Sequence, residues 1–243
     1  MRYSFLYWLT ISFIASLSLT MTSCPSDSNP DLDDVPFEQP ETKDYSITLS
    51  TTREYVDLAL PSGTKWANMN VGASSNADPG GYYRWGETSE FSRTEYMFYD
   101  SVTYQYVNIG RDISGTRYDV ATVLWGDECK MPTIEQYVEL CQYCDYGEYS
   151  LSGHLGYVFI GRNNNRIFLP YGGHLAMTGE IFYYPYYYDL RTIELHDSNE
   201  HFYWSCSDHT EDDGQAWAWH PGYDFGKYSM GRVFGCNVRA IKK

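Results

Sequence analysis

Six cysteines and six histidines are the side chains of this 243-residue protein that could do redox, nucleophilic or metal chemistry, so their spacing comes first. Cys24 stands apart near the N-terminus; Cys129, Cys141, Cys144, Cys206 and Cys236 follow. Five is an odd number, so at least one thiol stays unpaired whatever disulfides form. Cys141 and Cys144 are three residues apart at the close of a predicted helix. A redox pair opens a helix, where the dipole lowers the thiol pKa, so this pair reads as structural. A zinc site would want a second pair at similar spacing, and there is none. His196 and His201 are the closest histidines, but a spacing of five suits neither one helix face nor one strand face. The acidic run Asp208-His-Thr-Glu-Asp-Asp213 offers hard oxygen ligands for a cation; a solvated loop of like charges is the plainer reading. No cofactor and no bound metal is expected, and no catalytic residue stands out.

Aromatic side chains offer a different chemistry, that of contact. The chain has 25 Tyr and 7 Trp, which carry large rigid area at little conformational cost. Sugars stack on such rings while neighbouring carboxylates accept their hydroxyl hydrogens. Tyr223, Asp224 and Tyr228 lie in a Pro/Gly-rich loop and are the first candidates for ligand binding. Asp208 is a candidate beside them, as is Tyr187, from the run Tyr183 to Tyr188 around Pro185. Trp217 and Trp219 alternate, so they share one strand face and read as core.

Acidic residues number 32 against 17 basic, a net charge of −15, which excludes binding to a phosphate backbone. Arg2 precedes a mostly apolar, uncharged run from Phe5 to Met21, too short for a comfortable membrane span and typical of a signal peptide. Met21-Thr-Ser-Cys24 resembles the bacterial lipobox. Residues 1–23 are therefore expected to be a lipoprotein signal peptide, and Cys24 to be the lipidated residue that anchors the chain to a membrane. Residues 24–44 are rich in Pro, Ser and Asp and form a flexible acidic tether. An acidic stretch behind a lipidated Cys resembles the surface-export signal of Bacteroidota lipoproteins, which implies an outer-membrane, cell-surface protein.

The elements that must hold the candidates follow from periodicity. Tyr45 to Ser50 alternates with period two, Tyr55 to Leu60 reads as a second strand, Pro61-Ser-Gly63 as a turn, and Thr64 to Val71 as a third strand. Residues 74–120 read as loops. A helix is expected from Thr133 to about Cys144, with Thr133 and Gln136 as its capping box. Ile134, Tyr137, Val138 and Cys141 form its core stripe, and Glu139 faces water. The segments 156–161 and 166–170 flank Asn163-Asn-Asn165 as a hairpin, and 203–207, 215–219 and 234–240 read as the last strands. No internal repeat is visible, and 45–243 reads as one α+β domain.

These segments carry a resemblance. Tyr55-Val-Asp-Leu-Ala-Leu-Pro-Ser-Gly-Thr-Lys-Trp-Ala67 followed by Asn70-Val-Gly-Ala73 resembles the opening of the Fibrobacter succinogenes major paralogous domain family. Gly81 to Thr88, Trp125-Gly126, Met131-Pro-Thr133, Ile167 to Pro170, Tyr203-Trp-Ser205 and Gly235 to Arg239 match in order. The resemblance implies a C-type-lectin-like fold, mostly antiparallel strands with few helices and long loops. That fold is shared with formylglycine-generating enzymes and with the variable proteins of diversity-generating retroelements. It implies a glycan or protein ligand outside the cell, bound through the C-terminal face that the variable proteins diversify, without catalysis. The sugar-binding tripeptides of calcium-dependent lectins are absent; Glu38-Gln-Pro40 lies in the tether. A formylglycine-type enzyme, or a degenerate relative, is the alternative, but its closely spaced cysteine pair is missing. A structural component of a surface assembly is a third reading.

Overall fold

Gly63 takes φ +71 and donates its N–H to the Leu60 carbonyl at 2.9 Å, which reverses the chain between its first two strands. These are β1 (Tyr55–Asp57) and β2 (Lys65–Asn70), antiparallel, with Val56 opposite Trp66. The computed structural model describes residues 43–92, 97–100, 102–103, 105–178, 181–182, 187–188, 192–209, 214–222 and 226–242, with the backbone alone at 178, 181–182, 187–188 and 192. The expected signal peptide, Cys24 and nearly all of the tether lie outside the described residues.

After β2 come a short hairpin, β3 (Tyr99–Asp100) and β4 (Gln105–Tyr106), then α1 (Val120–Trp125), β5 (Cys129–Lys130) and α2 (Ile134–Tyr143). A meander follows of β6 (Asp145–Leu151), β7 (His154–Ile160) and β8 (Arg166–Pro170). Next are β9 (His174–Thr178), β10 (Ile181–Phe182), β11 (Tyr187–Tyr188) and β12 (Thr192–His196), in which β9 pairs with β12 and β10 with β11. Last come β13 (Tyr203–Asp208), β14 (Gln215–Trp219), β15 (Lys227–Gly231) and β16 (Arg239–Lys242). The strand β16 returns to lie between β2 and β5, so the four-stranded sheet runs β1-β2-β16-β5. All these ladders are antiparallel. Small antiparallel sheets with two helices make this an α+β protein.

The helix α2 begins as its capping box requires. Thr133 Oγ1 accepts from the Gln136 N–H at 3.2 Å, and Gln136 Oε1 accepts from the Thr133 N–H at 2.9 Å. Its buried stripe is Ile134, Tyr137 and Leu140, continued by Cys144, while Val138 and Cys141 are half-buried. The phase is turned from the expected one because Tyr137 packs between Trp66 (centroids 5.1 Å apart) and Trp219 (5.7 Å, stacked). Glu139, expected to face water, instead accepts hydrogen bonds from Ser62 N–H at 2.8 Å and Ser62 Oγ at 2.6 Å. The turn between β1 and β2 lies against that side of the helix.

The helix α1 falls at the end of the region read as loops. Six residues, half of them β-branched, carry little helix signal. The buried Asp119 carboxylate supplies it instead, accepting from the N–H groups of Ala121, Thr122, Gly115 and Met131 at 2.8–3.1 Å. Conversely, residues 45–50 form no ladder. Their alternation places Tyr45 and Ile47 on the core of β6-β7-β8, but at Thr48 and Ser50 the backbone is met by one residue, Asn76, through its own N–H to the Ser50 carbonyl at 2.9 Å and through its side chain. Asn76 accepts from the Ser50 N–H and donates to the Thr48 carbonyl, both at 2.9 Å. Residues 235–237 are extended yet bridge to three different segments, Leu175, Tyr83 and Tyr203, so the last ladder starts only at Arg239.

The blocks that stand out in the sequence converge in one buried network. Trp204 Nε1 donates to the Tyr83 carbonyl (2.7 Å), Trp85 Nε1 to the Ser205 carbonyl (3.0 Å) and Asn237 Nδ2 to the Gly81 carbonyl (3.1 Å). Tyr203 Oη donates to the Pro170 carbonyl (2.8 Å) and accepts from Asn70 Nδ2 (3.0 Å). Arg239 reaches Asn70 Oδ1 and the carbonyls of Ala67 and Phe168 at 2.7–2.8 Å. In the folded molecule these residues bind segments together.

Candidate functional site

The sheet β13-β14-β15 carries two of the five candidates, Asp208 and Tyr228, and its two faces enter two cores. Trp204, Cys206, Ala216, Ala218 and Met230 face one core, with Tyr228 at its margin. Tyr203 and Trp219 face the other, against α2, with the half-buried Trp217 packed on it. The shared face of Trp217 and Trp219 is thus core, as alternation required.

Beyond Trp219 the backbone turns at His220, whose N–H donates to the Gly226 carbonyl at 2.8 Å. Gly226 has φ +82, and a Cβ there would lie 2.3 Å from the Trp219 ring, so only glycine closes this turn. Gly222 N–H donates to His220 Nδ1 at 3.0 Å. That bond leaves the ring proton on Nε2, which meets Glu200 Oε2 at 2.8 Å. The Phe202 ring backs both His220 (4.8 Å) and Tyr228 (5.6 Å). Tyr228, half-buried, is therefore a ring packed against Phe202 and against the His220 that bonds Glu200.

Three more histidines lie near this end. His201 is buried among Tyr171 (4.0 Å), Tyr157 (4.9 Å) and Trp219 (5.4 Å). Neither of its ring nitrogens makes a well-formed hydrogen bond, and only the Pro170 carbonyl favours its charged form. Burial first, then the neighbouring His220, holds its pKa well below the histidine range, so the ring is neutral. His174 and His196 face each other across the β9–β12 pair, rings stacked at 5.6 Å. Burial also lowers the His174 pKa, against the pull of Asp197, whose Oδ2 lies 3.6 Å away. Sequence spacing missed this gathering because strand pairing and tight turns, not sequence distance, bring the rings together. Among the described residues no three His, Cys, Asp or Glu side chains are grouped to hold a metal ion.

The other candidates are spread out. Tyr223 and Asp224 lie outside the described residues, but their neighbours Gly222 and Gly226 are at this end of the sheet. Asp208 is at the other end, opposite Ala216, where its carboxylate pairs with Arg232 in the interior. Arg232 also lies over the Trp85 ring at 4.4 Å and donates to the Gln215 carbonyl at 3.2 Å. Among the described residues, Tyr228 lies at the end of the sheet where Gly222 and Gly226 are found, and Asp208 does not. Tyr187 is in β11, opposite Phe182; its side chain lies outside the described residues. So do residues 210–213 of the acidic run.

All five described cysteines are free thiols. Cys206 and Cys236 are fully buried, and burial pushes both thiols well above the ordinary range. Cys141 accepts from Trp219 Nε1 at 3.3 Å, and burial raises it to about 11; Cys144 rises to about 12. None of these four is a reactive thiolate at neutral pH. A polar cleft of about 430 Å³ beside the start of α2 is lined by Ser114, Lys130 and Gln136 among others, and contains none of the candidates. No helix among the described residues is long and apolar enough to cross a membrane.

Comparison of the chain with protein-family models, with curated proteins and with solved structures found no match.

Proposed function

We propose that this protein is a surface lipoprotein, anchored through Cys24, whose C-type-lectin-like domain binds a glycan or protein ligand without catalysis. The ligand is held by the aromatic face around Tyr223, Asp224 and Tyr228. The observation that carries this reading is Tyr228. It is a partly exposed ring packed against Phe202 and His220, and His220 in turn bonds the Glu200 carboxylate. A ring already immobilised loses little entropy when a ligand covers it. The burial of Cys206 and Cys236 as neutral thiols speaks for binding over the copper-thiolate chemistry of a formylglycine-type enzyme.

Two measurements test the reading. A clickable fatty acid fed to producing cells should label the wild type and not Cys24→Ala; labelling of the variant refutes the anchor. On glycan and surface-protein arrays, combined Ala substitution of Tyr223, Asp224 and Tyr228 should abolish the wild-type signal, while Tyr228→Phe keeps both signal and melting temperature. Full binding by the triple variant refutes the site.

A further inference from the structure

A second surface, on the opposite side of His201 from Tyr228's sheet, has a chemistry of its own. In β6 and β7 the residues directly opposite one another are Tyr146 and Phe159, Glu148 and Tyr157, and Ser150 and Leu155. Because side chains alternate, these six share one face; the other face, with Tyr149, Leu151, Val158 and Ile160, is packed on Tyr45 and Ile47. Towards β8 the shared face is buried, with Phe159 in the core beside Ile167 and Leu169. Towards the β6 edge it opens to water: Tyr146 is 42% exposed and Leu155 51%.

The geometry at this edge is that of a platform. Tyr146 lies stacked on Phe159, 28° between planes and 5.2 Å between centroids, so one face of its ring is spent on packing while 42% of the residue stays exposed. Tyr157 meets it edge-on at 5.8 Å, interplanar 78°. Glu148 stands two residues further along the strand, roughly 7 Å away by the strand rise. Tyr171 Oη donates to its Oε1, which orients the carboxylate and leaves Oε2 to accept another hydrogen bond.

We infer that the β6–β7 edge is a sugar-binding platform, with Tyr146 stacking on the apolar face of a neutral pyranose and Glu148 accepting from its hydroxyls. The occupant follows from the surface. A pyranose has one face of C–H groups and a rim of hydroxyls, and the edge offers a flat ring and Leu155 beside one carboxylate and Ser150. An anionic polymer would be repelled by Glu148 and by the net charge of −15. This site is separate from the one proposed at Tyr228, and either can fail without the other.

Affinity electrophoresis of the full chain in native gels containing laminarin, hydroxyethylcellulose or yeast mannan tests it. At least one polymer is expected to retard the wild type. Tyr146→Ala should weaken that retardation at least tenfold in apparent Kd and Glu148→Gln several-fold, while Tyr146→Phe, which keeps the ring, retains it. Equal melting temperatures for Tyr146→Ala and wild type show that contact, not folding, was lost. The platform is overturned if no polymer retards the wild type, or if Tyr146→Ala is retarded as strongly. Binding of poly-L-lysine in place of the neutral polymers, lost in Glu148→Gln, would make it a cation site instead and also overturn the inference.

Discussion

Arg239 and Asn70 are bonded to each other in the interior, Nε to Oδ1 at 2.7 Å, and neither has exposed surface. The guanidinium has no carboxylate beside it among its hydrogen-bond partners. Instead the Ala67 and Phe168 carbonyls accept its remaining contacts, so one side chain ties β2, β8 and β16 together. Asn70 serves on the other side, donating to the Pro79 carbonyl and the Tyr203 hydroxyl. A buried charge is tolerable only when its donors are satisfied. Arg239→Lys cannot reach three acceptors in different directions and should cost about 3–5 kcal/mol in urea unfolding. Asn70→Ala should cost about 2–4 kcal/mol by orphaning Arg239 and Tyr203. Losses below about 0.5 kcal/mol would contradict this role.

Leu140, not Val138, anchors α2 in the core. Leu140→Ala is expected to cost about 2–5 kcal/mol, and Val138→Ala clearly less. Glu139→Ala should cost about 1 kcal/mol through its bonds to Ser62. A double-mutant cycle with Ser62→Ala isolates that coupling; a coupling energy of zero would show that the two residues do not interact in solution.

Acid should weaken the fold before carboxylates titrate. His201 and His174 have pKa values held below the ordinary histidine value of about 6.5. The folded state therefore binds fewer protons than the unfolded chain in that range. Their contribution to stability is fully present above about pH 6.5 and is lost progressively as pH falls towards the folded-state values. Asp78, which burial would raise but which hydrogen bonds from Ser74 and Gly80 together hold low, adds a second loss below about pH 4. Melting temperatures between pH 8 and 5 should fall for the wild type and fall less for His201→Phe. A flat wild-type profile would mean that His201 is protonated without cost.

Asp208 is predicted to act in stability. Asp208→Ala leaves the Arg232 guanidinium buried without its counter-charge and should cost about 3–5 kcal/mol by thermal unfolding. Arrays run with folded Asp208→Ala should still show ligand binding at the Tyr228 end. Loss of binding with an unchanged melting temperature would return Asp208 to the binding face.

Much of the scaffold was legible locally. The capping box at Thr133, the Asn163–Asn165 hairpin and the alternation of Trp217 with Trp219 each depend on neighbours in sequence, and each is seen where periodicity placed it. The misses share a cause. Residues 45–50 alternate correctly but bond to the Asn76 side chain, the phase of α2 is set by two distant tryptophans, and α1 is capped by a carboxylate that also serves Met131. No local window contains those partners.

Sequence alone determined the composition of the surfaces: a net charge of −15, an excess of tyrosine, and an apolar, uncharged N-terminal run ahead of Cys24. It also determined that five cysteines could not all be paired. Which aromatic rings face water, and which carboxylates stand beside them, only the tertiary structure decided. Asp208 and Tyr228 looked alike as candidates, yet an arginine 24 residues away neutralises the first while the second stays partly exposed against Phe202. Tyr146, unremarked among 25 tyrosines, stays partly exposed where strand pairing sets it on Phe159. Burial and pairing are properties of contacts between segments remote in the chain, so residue type and local period cannot specify them.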